Sequence, residues 1–174
     1  MNPLFENETC RNEAAIKEVY KYWFFKRPLM VGIYLILGVY LLSGILGFVF
    51  DPESAREFIF PFVCIVFVTV LMIVGYFNQV KLLVSRDKER ANGGDFICTV
   101  RISDSEIEQT AFDSKVNLPI EKVKYVLSTK NYFALVTEAR HMFILKKDSF
   151  AVGDSLGFIA FLKEKGIKIK GKKN

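Results

Sequence analysis

Few residues of this chain have the type and spacing that catalysis requires. His141 is the only histidine, and a catalytic or metal-binding role would need partners that the sequence does not place at ligand spacing. Glu106 and Glu108 alternate on a predicted strand, so they share a face and could act as paired carboxylates. A solvated strand face is the simpler interpretation of this pair. The sequence therefore predicts a non-enzymatic protein with no catalytic residue, no metal site and no cofactor.

The cysteines and glycines add no second kind of chemistry. Cys10, Cys64 and Cys98 are odd in number and far apart, which predicts reduced thiols rather than a disulfide framework. The motifs GxGxxG and GxxxxGK[ST] are both absent, so no nucleotide-binding fold is indicated. No small-molecule substrate is identified.

The one positive signal is a cluster of lysines near the C-terminus. Its six members are Lys163, Lys165, Lys168, Lys170, Lys172 and Lys173. An anionic membrane surface would attract each nearby lysine by about 1 kcal/mol, so the cluster is a candidate contact with anionic lipid. A solvated tail that aids solubility is the alternative. Aromatic residues are not interleaved as in stacking platforms, so we expect no nucleic acid partner.

Two apolar runs would hold this cluster beside a membrane. They comprise residues 29–50 and 58–77, and each matches the length of a helix that crosses a hydrocarbon core of ~30 Å. Neither run contains a charge, which would cost about 2.5 to 3.5 kcal/mol at the bilayer centre. Neither keeps the polar stripe typical of a soluble core helix. The pattern predicts a two-span transmembrane hairpin with a short external loop at residues 51–57.

Charge asymmetry predicts the orientation of the hairpin. The loop carries three acids and one arginine, whereas the basic residues of the flanking segments are Lys21, Lys26, Arg27, Lys81, Arg86, Lys88 and Arg90. By the positive-inside rule both termini are cytoplasmic in a multi-pass protein of the cell membrane. Trp23 suits the headgroup layer as an interfacial anchor.

Small residues in the first run offer a packing surface. Ser43 and Gly47 form a small-xxx-small pair, which lets a neighbouring helix approach closely. A dedicated dimerisation face is one interpretation, and close pairing forced by the short loop is the other. Pro61 lies inside the second run and is expected to kink it.

The polar parts divide into three further segments. Residues 1–28 are interpreted as a cytoplasmic amphipathic segment, with a helix over 7–26 that either lies on the membrane surface or extends the first span. Residues 78–95 are predicted to be a linker. Residues 96–174 contain short β-rich stretches separated by turn signals, followed by an amphipathic helix over 153–165 that ends at Gly166. We expect an antiparallel β domain that is closed by this helix and followed by a basic tail.

Taken together, these features resemble the YcxB-like family of small bacterial membrane proteins. The resemblance depends on the two N-terminal spans, the segment SKVNLPIEKVKYVLSTKNYFALV (114–136), the segment FILKKDSF (143–150), and the helix with Phe158 and Leu162. Two positions depart from the family pattern: Lys146 stands where proline is frequent, and Asp148 where a basic residue is frequent.

The resemblance implies a cytoplasmic C-terminal domain related to pleckstrin-homology-like barrels, and it implies no activity. The expected fold class is therefore an α+β membrane protein with a two-span hairpin and a small cytoplasmic β domain. The expected function is a membrane-anchored interaction module at the inner leaflet, in contact with lipids and with an unidentified protein partner. The alternative is an accessory subunit of a transport or envelope complex that acts through its transmembrane helices. A membrane enzyme is a third hypothesis, which no motif favours.

Overall fold

The structure, a computed structural model, describes residues 3–25, 28–50, 55–112, 114–139 and 141–171, without the side chains of residues 28, 29 and 55–58. In this part the chain is an α+β protein. The helices are α1 (Glu13–Phe25), α2 (Pro28–Phe50), α3 (Ala55–Arg90) and α4 (Ser155–Glu164). The strands are β1 (Phe5–Cys10), β2 (Ile97–Ile102), β3 (Glu106–Ala111), β4 (Ser114–Pro119), β5 (Val123–Ser128), β6 (Tyr132–Thr137), β7 (Met142–Lys146), β8 (Phe150–Val152) and β9 (Ile169–Gly171).

Residues 21–81 form one compact unit, which contains α2 and most of α3. Both helices are long and apolar enough to cross a membrane. Their large apolar side chains point outward on all sides, and Phe50 and Phe60 are 80% and 76% exposed. Of the expected external loop at 51–57, residues 51–54 lie outside the described residues. Pro61 lies within α3, which continues beyond it.

The expected linker at 78–95 is wrong over most of its length, because α3 continues to Arg90. No glycine or proline occurs between Phe77 and Arg90, and lysine, arginine and glutamate are good helix formers. The helix ends where Asn92 and Gly93 adopt positive φ angles of 49° and 86°. Such left-handed positions are typical C-terminal stops.

Residues 1–20 and 82–174 form the second unit, the β unit. It contains a five-stranded sheet in the order β4-β3-β2-β1-β8 and a four-stranded sheet in the order β7-β6-β5-β9. Neighbouring strands are antiparallel except β5 and β9, which are parallel. Strands β5, β6 and β7 form within the region where the sequence predicts β-rich stretches, because each is a short run rich in apolar, β-branched or aromatic residues that is closed by turn residues.

The expected helix over residues 7–26 is wrong at its beginning. Residues Phe5–Cys10 form β1, an inner strand of the larger sheet, and α1 begins only at Glu13. The side chain of Asn12 accepts a hydrogen bond from the first turn of α1, at Ala15 N (3.0 Å). The β domain therefore does not begin at residue 96, since β1 lies between β2 and β8.

One apolar core joins the two sheets and α4. Period-two alternation turns the same face of β1, β2 and β3 inward, where it meets the inner residues of β5, β6 and β7. Phe133 and Phe158 are fully buried at the centre with ring centroids 5.4 Å apart, in an edge-to-face arrangement that aromatic pairs favour. The buried core residues are Phe5, Val100, Ile102, Ile107, Ile120, Val123, Val126, Phe133, Leu135, Phe143, Leu145, Phe158, Phe161 and Leu162.

Local signals define α4 as the sequence predicts. The Asp154 carboxylate caps the helix by accepting a hydrogen bond from Gly157 N. Gly166 has a φ of +70°, and Ile167 N donates to Leu162 O at 2.9 Å, which is the closing pattern of a left-handed C-terminal cap. The helix thus presents Phe158, Phe161 and Leu162 to the core.

Polar side chains connect the two sheets along β1 and β7. Asn7 and Thr9 are buried, and Lys146 N donates to Thr9 Oγ1 at 2.8 Å. Asn7 Nδ2 donates to Lys146 O at 2.8 Å. These side chains replace the missing backbone partners of β7 at this point, because an unpaired buried peptide group costs free energy.

Helix α1 is tied to the turn between β5 and β6. The Glu18 carboxylate accepts hydrogen bonds from Asn131 N and Asn131 Nδ2, both at 2.8 Å. Burial alone would raise the pKa of Glu18, but hydrogen bonds from Thr129, Asn131 and Lys130 outweigh it and hold this pKa below its ordinary value. The contact therefore favours the ionised carboxylate.

Candidate functional site

Three of the lysines singled out in the sequence, Lys165, Lys168 and Lys170, line a cleft in the β unit. Strand β9 pairs with β5, and the segment that joins α4 to β9 completes one wall of the cleft. The cleft has a volume of about 760 Å³. Its basic residues are Lys124, Lys165, Lys168 and Lys170. We call this feature the basic cleft.

Two of its lysines have partners in the structure. The Lys170 Nζ lies 4.3 Å from the centroid of the Tyr125 ring, within the range of a cation–π contact. The Lys165 Nζ lies 2.7 Å from Asp104 Oδ1. Asp104 is largely exposed, and an exposed ion pair of this kind contributes at most about 1 kcal/mol. The ammonium of Lys165 therefore remains available to a stronger anion.

The electrostatic balance of the cleft is positive. Four lysines line it together with the carboxylates of Asp104 and Glu121. The side chains of Lys124 and Lys168 are exposed, so their charges face solvent without a desolvation cost. Such an arrangement can attract an anionic group, and salt would screen that attraction.

The structure brings together only part of the predicted lysine cluster. Lys165, Lys168 and Lys170 line the cleft, whereas Lys163 is exposed on the last turn of α4 and does not line it. Lys172 and Lys173 lie outside the described residues. The expected basic tail is wrong where residues 169–171 form β9, because Val126 N and the edge of β5 offer that segment backbone partners.

Sequence reasoning missed Lys124 and Tyr125. Both lie on β5, at the point where its register against β6 shifts between Val123 and Tyr125, and both are far in sequence from the C-terminal lysines. The strand itself was predictable, but the parallel pairing of β9 that makes these residues neighbours carries no local signal.

The other predicted contact residues lie in the unit formed by residues 21–81. Ser43 and Gly47 are one turn apart on α2, and Ser43 Oγ donates to Tyr40 O of its own helix at 2.8 Å. Trp23 lies in α1 beside Phe24 and Phe25. These two phenylalanine rings pack on Tyr76, with centroids 5.9 and 5.4 Å from it. An aromatic cluster of this kind is typical of a membrane interface.

The residues considered for catalysis do not assemble into a site. Glu108 is paired with Lys115 at 2.8 Å, and this hydrogen bond lowers the pKa of the carboxyl group. Burial raises the pKa of the Cys98 thiol, which disfavours the reactive thiolate. His141 lies just before β7. Within the described residues, no group of three or more histidine, cysteine, aspartate or glutamate side chains could hold a metal ion.

No protein-family model matches the chain, and no curated protein matches it either.

Proposed function

We propose that this chain is a non-enzymatic membrane-anchored interaction module that presents its β unit at the cytoplasmic face of the cell membrane. The observation that carries the proposal is the outward exposure of the apolar side chains of α2 and α3. Burying apolar surface contributes roughly 25 cal/mol per Å², so helices of this kind require an apolar environment. Hydrocarbon supplies it for both helices at once.

The resemblance to the YcxB-like family, with its pleckstrin-homology-like domain, is part of this proposal. Two sheets around one core, antiparallel except for the β5–β9 pair and closed by the C-terminal helix α4, support it. The fold alone does not specify an activity. The function therefore has to be argued from surfaces of the β unit.

The basic cleft supports contact with anionic lipid headgroups. We expect Lys168 and Lys170 to approach the headgroups, each contributing about 1 kcal/mol near the surface. The test is hydrogen–deuterium exchange of the full chain in nanodiscs of anionic or neutral lipid. Anionic lipid should protect the amides of β9 at low salt, and the protection should fall as salt shortens the Debye length from ~10 Å to ~3 Å.

Charge reversal provides the matched control for this test. Lys168→Glu should abolish the lipid-dependent protection, whereas Lys130→Glu, an exposed lysine in the turn between β5 and β6, should preserve it. Equal protection in both lipids would assign the lysines to solubility and leave a protein partner as the function of the module.

The orientation has its own test. Reporter fusions at both termini should report cytoplasm, and a cysteine at Ser54 should be labelled from outside intact cells. Cleavage of the β unit by external protease would overturn the proposed topology.

The alternative function is an accessory subunit that acts through its transmembrane helices. An apolar hollow of about 370 Å³ between α2 and α3 favours it, with Gly44, Phe48 and Ile59 among its walls. A side chain of a third helix would fit such a hollow. Gly44→Leu should then release a co-purifying membrane partner, while Lys168→Glu should not.

A further inference from the structure

The β unit has a second concave surface, which shares no lining residue with the basic cleft. It is a groove of about 850 Å³ with an apolar floor and a basic rim. Ile16 of α1, Leu83 and Arg90 of α3, Phe96, Val116 of β4 and Met142 of β7 line it. We call it the amphipathic groove.

The backbone edge of β7 that faces away from β6 borders this groove at Met142 and Ile144. Thr137 N donates to His141 O, and Lys147 N donates to Asn131 O. Because hydrogen-bonded positions alternate along an antiparallel pair, the peptide groups of Phe143 and Leu145 also point toward β6. Those of Met142, Ile144 and Lys146 point away from it.

The three outward positions of β7 differ in what they meet. The N–H and C=O of Lys146 are satisfied by Thr9 and Asn7. Met142 and Ile144, which line the groove, have no such side-chain partner in the described part of the chain. Strand β4 is also the edge of its sheet, and it borders the groove through Val116. Edge groups of this kind are templates for pairing with another chain.

The charges on the rim select the sign of a ligand. Arg11 is neutralised by Asp87, whereas Arg90 is exposed and has no ion-pair partner within the described residues. No aspartate or glutamate lines the described part of the groove. The surface therefore favours an anionic group close to an apolar one.

We propose that the amphipathic groove binds an extended segment of a partner protein in which acidic and apolar residues alternate. The segment would pair with Met142 and Ile144 as an added strand, insert its apolar side chains over Ile16 and Phe96, and direct a carboxylate to Arg90. A lipid also carries apolar and anionic parts, but it has no row of N–H and C=O groups to satisfy the β7 edge. The inference rests on the proposed function as an interaction module and names the chemistry of its partner.

The test uses the full chain in neutral nanodiscs and a fluorescent peptide of alternating valine and glutamate. Met142→Pro removes one outward N–H at a position where an edge strand tolerates proline. Met142→Val keeps that N–H. Loss of one hydrogen bond should weaken peptide binding roughly three- to tenfold in the proline variant, and binding by the valine variant should match wild type.

A second pair of variants tests the charge preference. Arg90→Glu should weaken binding of the glutamate peptide about tenfold and strengthen binding of a valine–lysine peptide, because hydrogen bonds to charged groups are worth more than neutral ones. Arg86→Glu is the matched control, since Arg86 is exposed on the same helix and does not line the groove. It should leave both affinities unchanged.

A modified peptide tests strand pairing without altering the protein. N-methylation of the residues that face β7 should abolish binding, and methylation of the alternate residues should not. This comparison decides the question if Met142→Pro fails to fold.

Three results would overturn the inference: no binding of either peptide, equal binding by the proline and valine variants, or indifference to N-methylation. Displacement of the peptide by short-chain anionic lipid would assign the groove to lipid instead. These failures are distinguishable from failure of the proposed function, because the topology test addresses the membrane anchor and does not involve the groove.

Discussion

Removal of the Asp87 carboxylate should destabilise the β unit, because Asp87 holds a guanidinium that has little access to water. Arg11 Nε donates to Asp87 Oδ2 at 2.7 Å, and Arg11 Nη2 donates to Oδ1 at 2.6 Å. The Arg11 guanidinium also lies 5.2 Å from the centroid of the Phe96 ring. The pair connects the end of β1 to the last turns of α3.

The burial of the two side chains sets the expected magnitude. They are 20% and 5% exposed for Arg11 and Asp87 respectively. Breaking a buried pair typically costs 3–5 kcal/mol, and the partial exposure of Arg11 places Asp87→Ala at the lower end, about 3 kcal/mol. For a unit of this size, this loss corresponds to a decrease in Tm on the order of 10 °C.

A double-variant cycle separates loss of the pair from simple loss of packing. Thermal unfolding of the full chain in detergent micelles would be followed by circular dichroism in the β region. The apolar replacement Arg11→Met with Asp87→Leu should recover most of the stability, because exchanging a buried ion pair for apolar side chains is often neutral. A Tm of Asp87→Ala within about 2 °C of wild type would refute this reasoning. So would a double variant as unstable as the sum of its parts.

Three further predictions follow from the fold. A fragment of residues 96–174 should not fold, because it lacks β1 (Phe5–Cys10). Residues 3–20 joined to 82–174 by a flexible linker should instead unfold cooperatively on heating. Equally cooperative thermal unfolding of the shorter fragment would contradict the strand order. The lowered pKa of Glu18 stabilises the fold above the ordinary carboxyl value of 4.5, and this contribution is lost as the pH falls through the lower folded value. Glu18→Gln should therefore reduce the difference in Tm between pH values above and below that range, and an unchanged acid dependence would exclude Glu18 as its source. Gly171→Ala should detach β9 from β5, because the φ angle of Gly171 is +126° and a Cβ atom would overlap the Ser128 carbonyl oxygen. Faster hydrogen exchange of the β5 amides, with an intact core, would show this detachment. Unchanged exchange would argue against the pairing of β9 with β5.

Local features of the sequence were sufficient for many of the elements. The apolar runs that become α2 and α3 are evident from composition, since the free energy of membrane insertion is close to a sum over residues. Strands β5, β6 and β7 are short runs rich in apolar, β-branched and aromatic residues between turn signals, and α4 has its cap at Asp154 and its stop at Gly166. In each case neighbouring residues alone decide the conformation.

Segments with weak local patterns were missed or misassigned. The β1 sequence FENETC has few β-branched residues and precedes a helical pattern, so the sequence predicts its residues 7–10 to be part of the helix. Phe5 pairs with Ile102, and both apolar helices lie between these two residues in the sequence. The segment predicted to be a linker likewise contains good helix formers, so α3 continues through most of it. Its polar composition is what suggested a linker.

The basic cleft and the amphipathic groove also depend partly on local sequence and partly on the tertiary structure. The sequence by itself determined the apolar helices, the α+β class and the basic character of the C-terminal segment, since these depend on composition and on contacts between near neighbours. Only the tertiary structure decided that β9 lies beside β5 and so places Lys124 with Lys168 and Lys170. Only the tertiary structure decided that the edge of β7 and Arg90 line the same groove. The physical reason is that both arrangements depend on strand pairings distant in sequence, which burial of one shared core makes favourable and which no local residue pattern encodes.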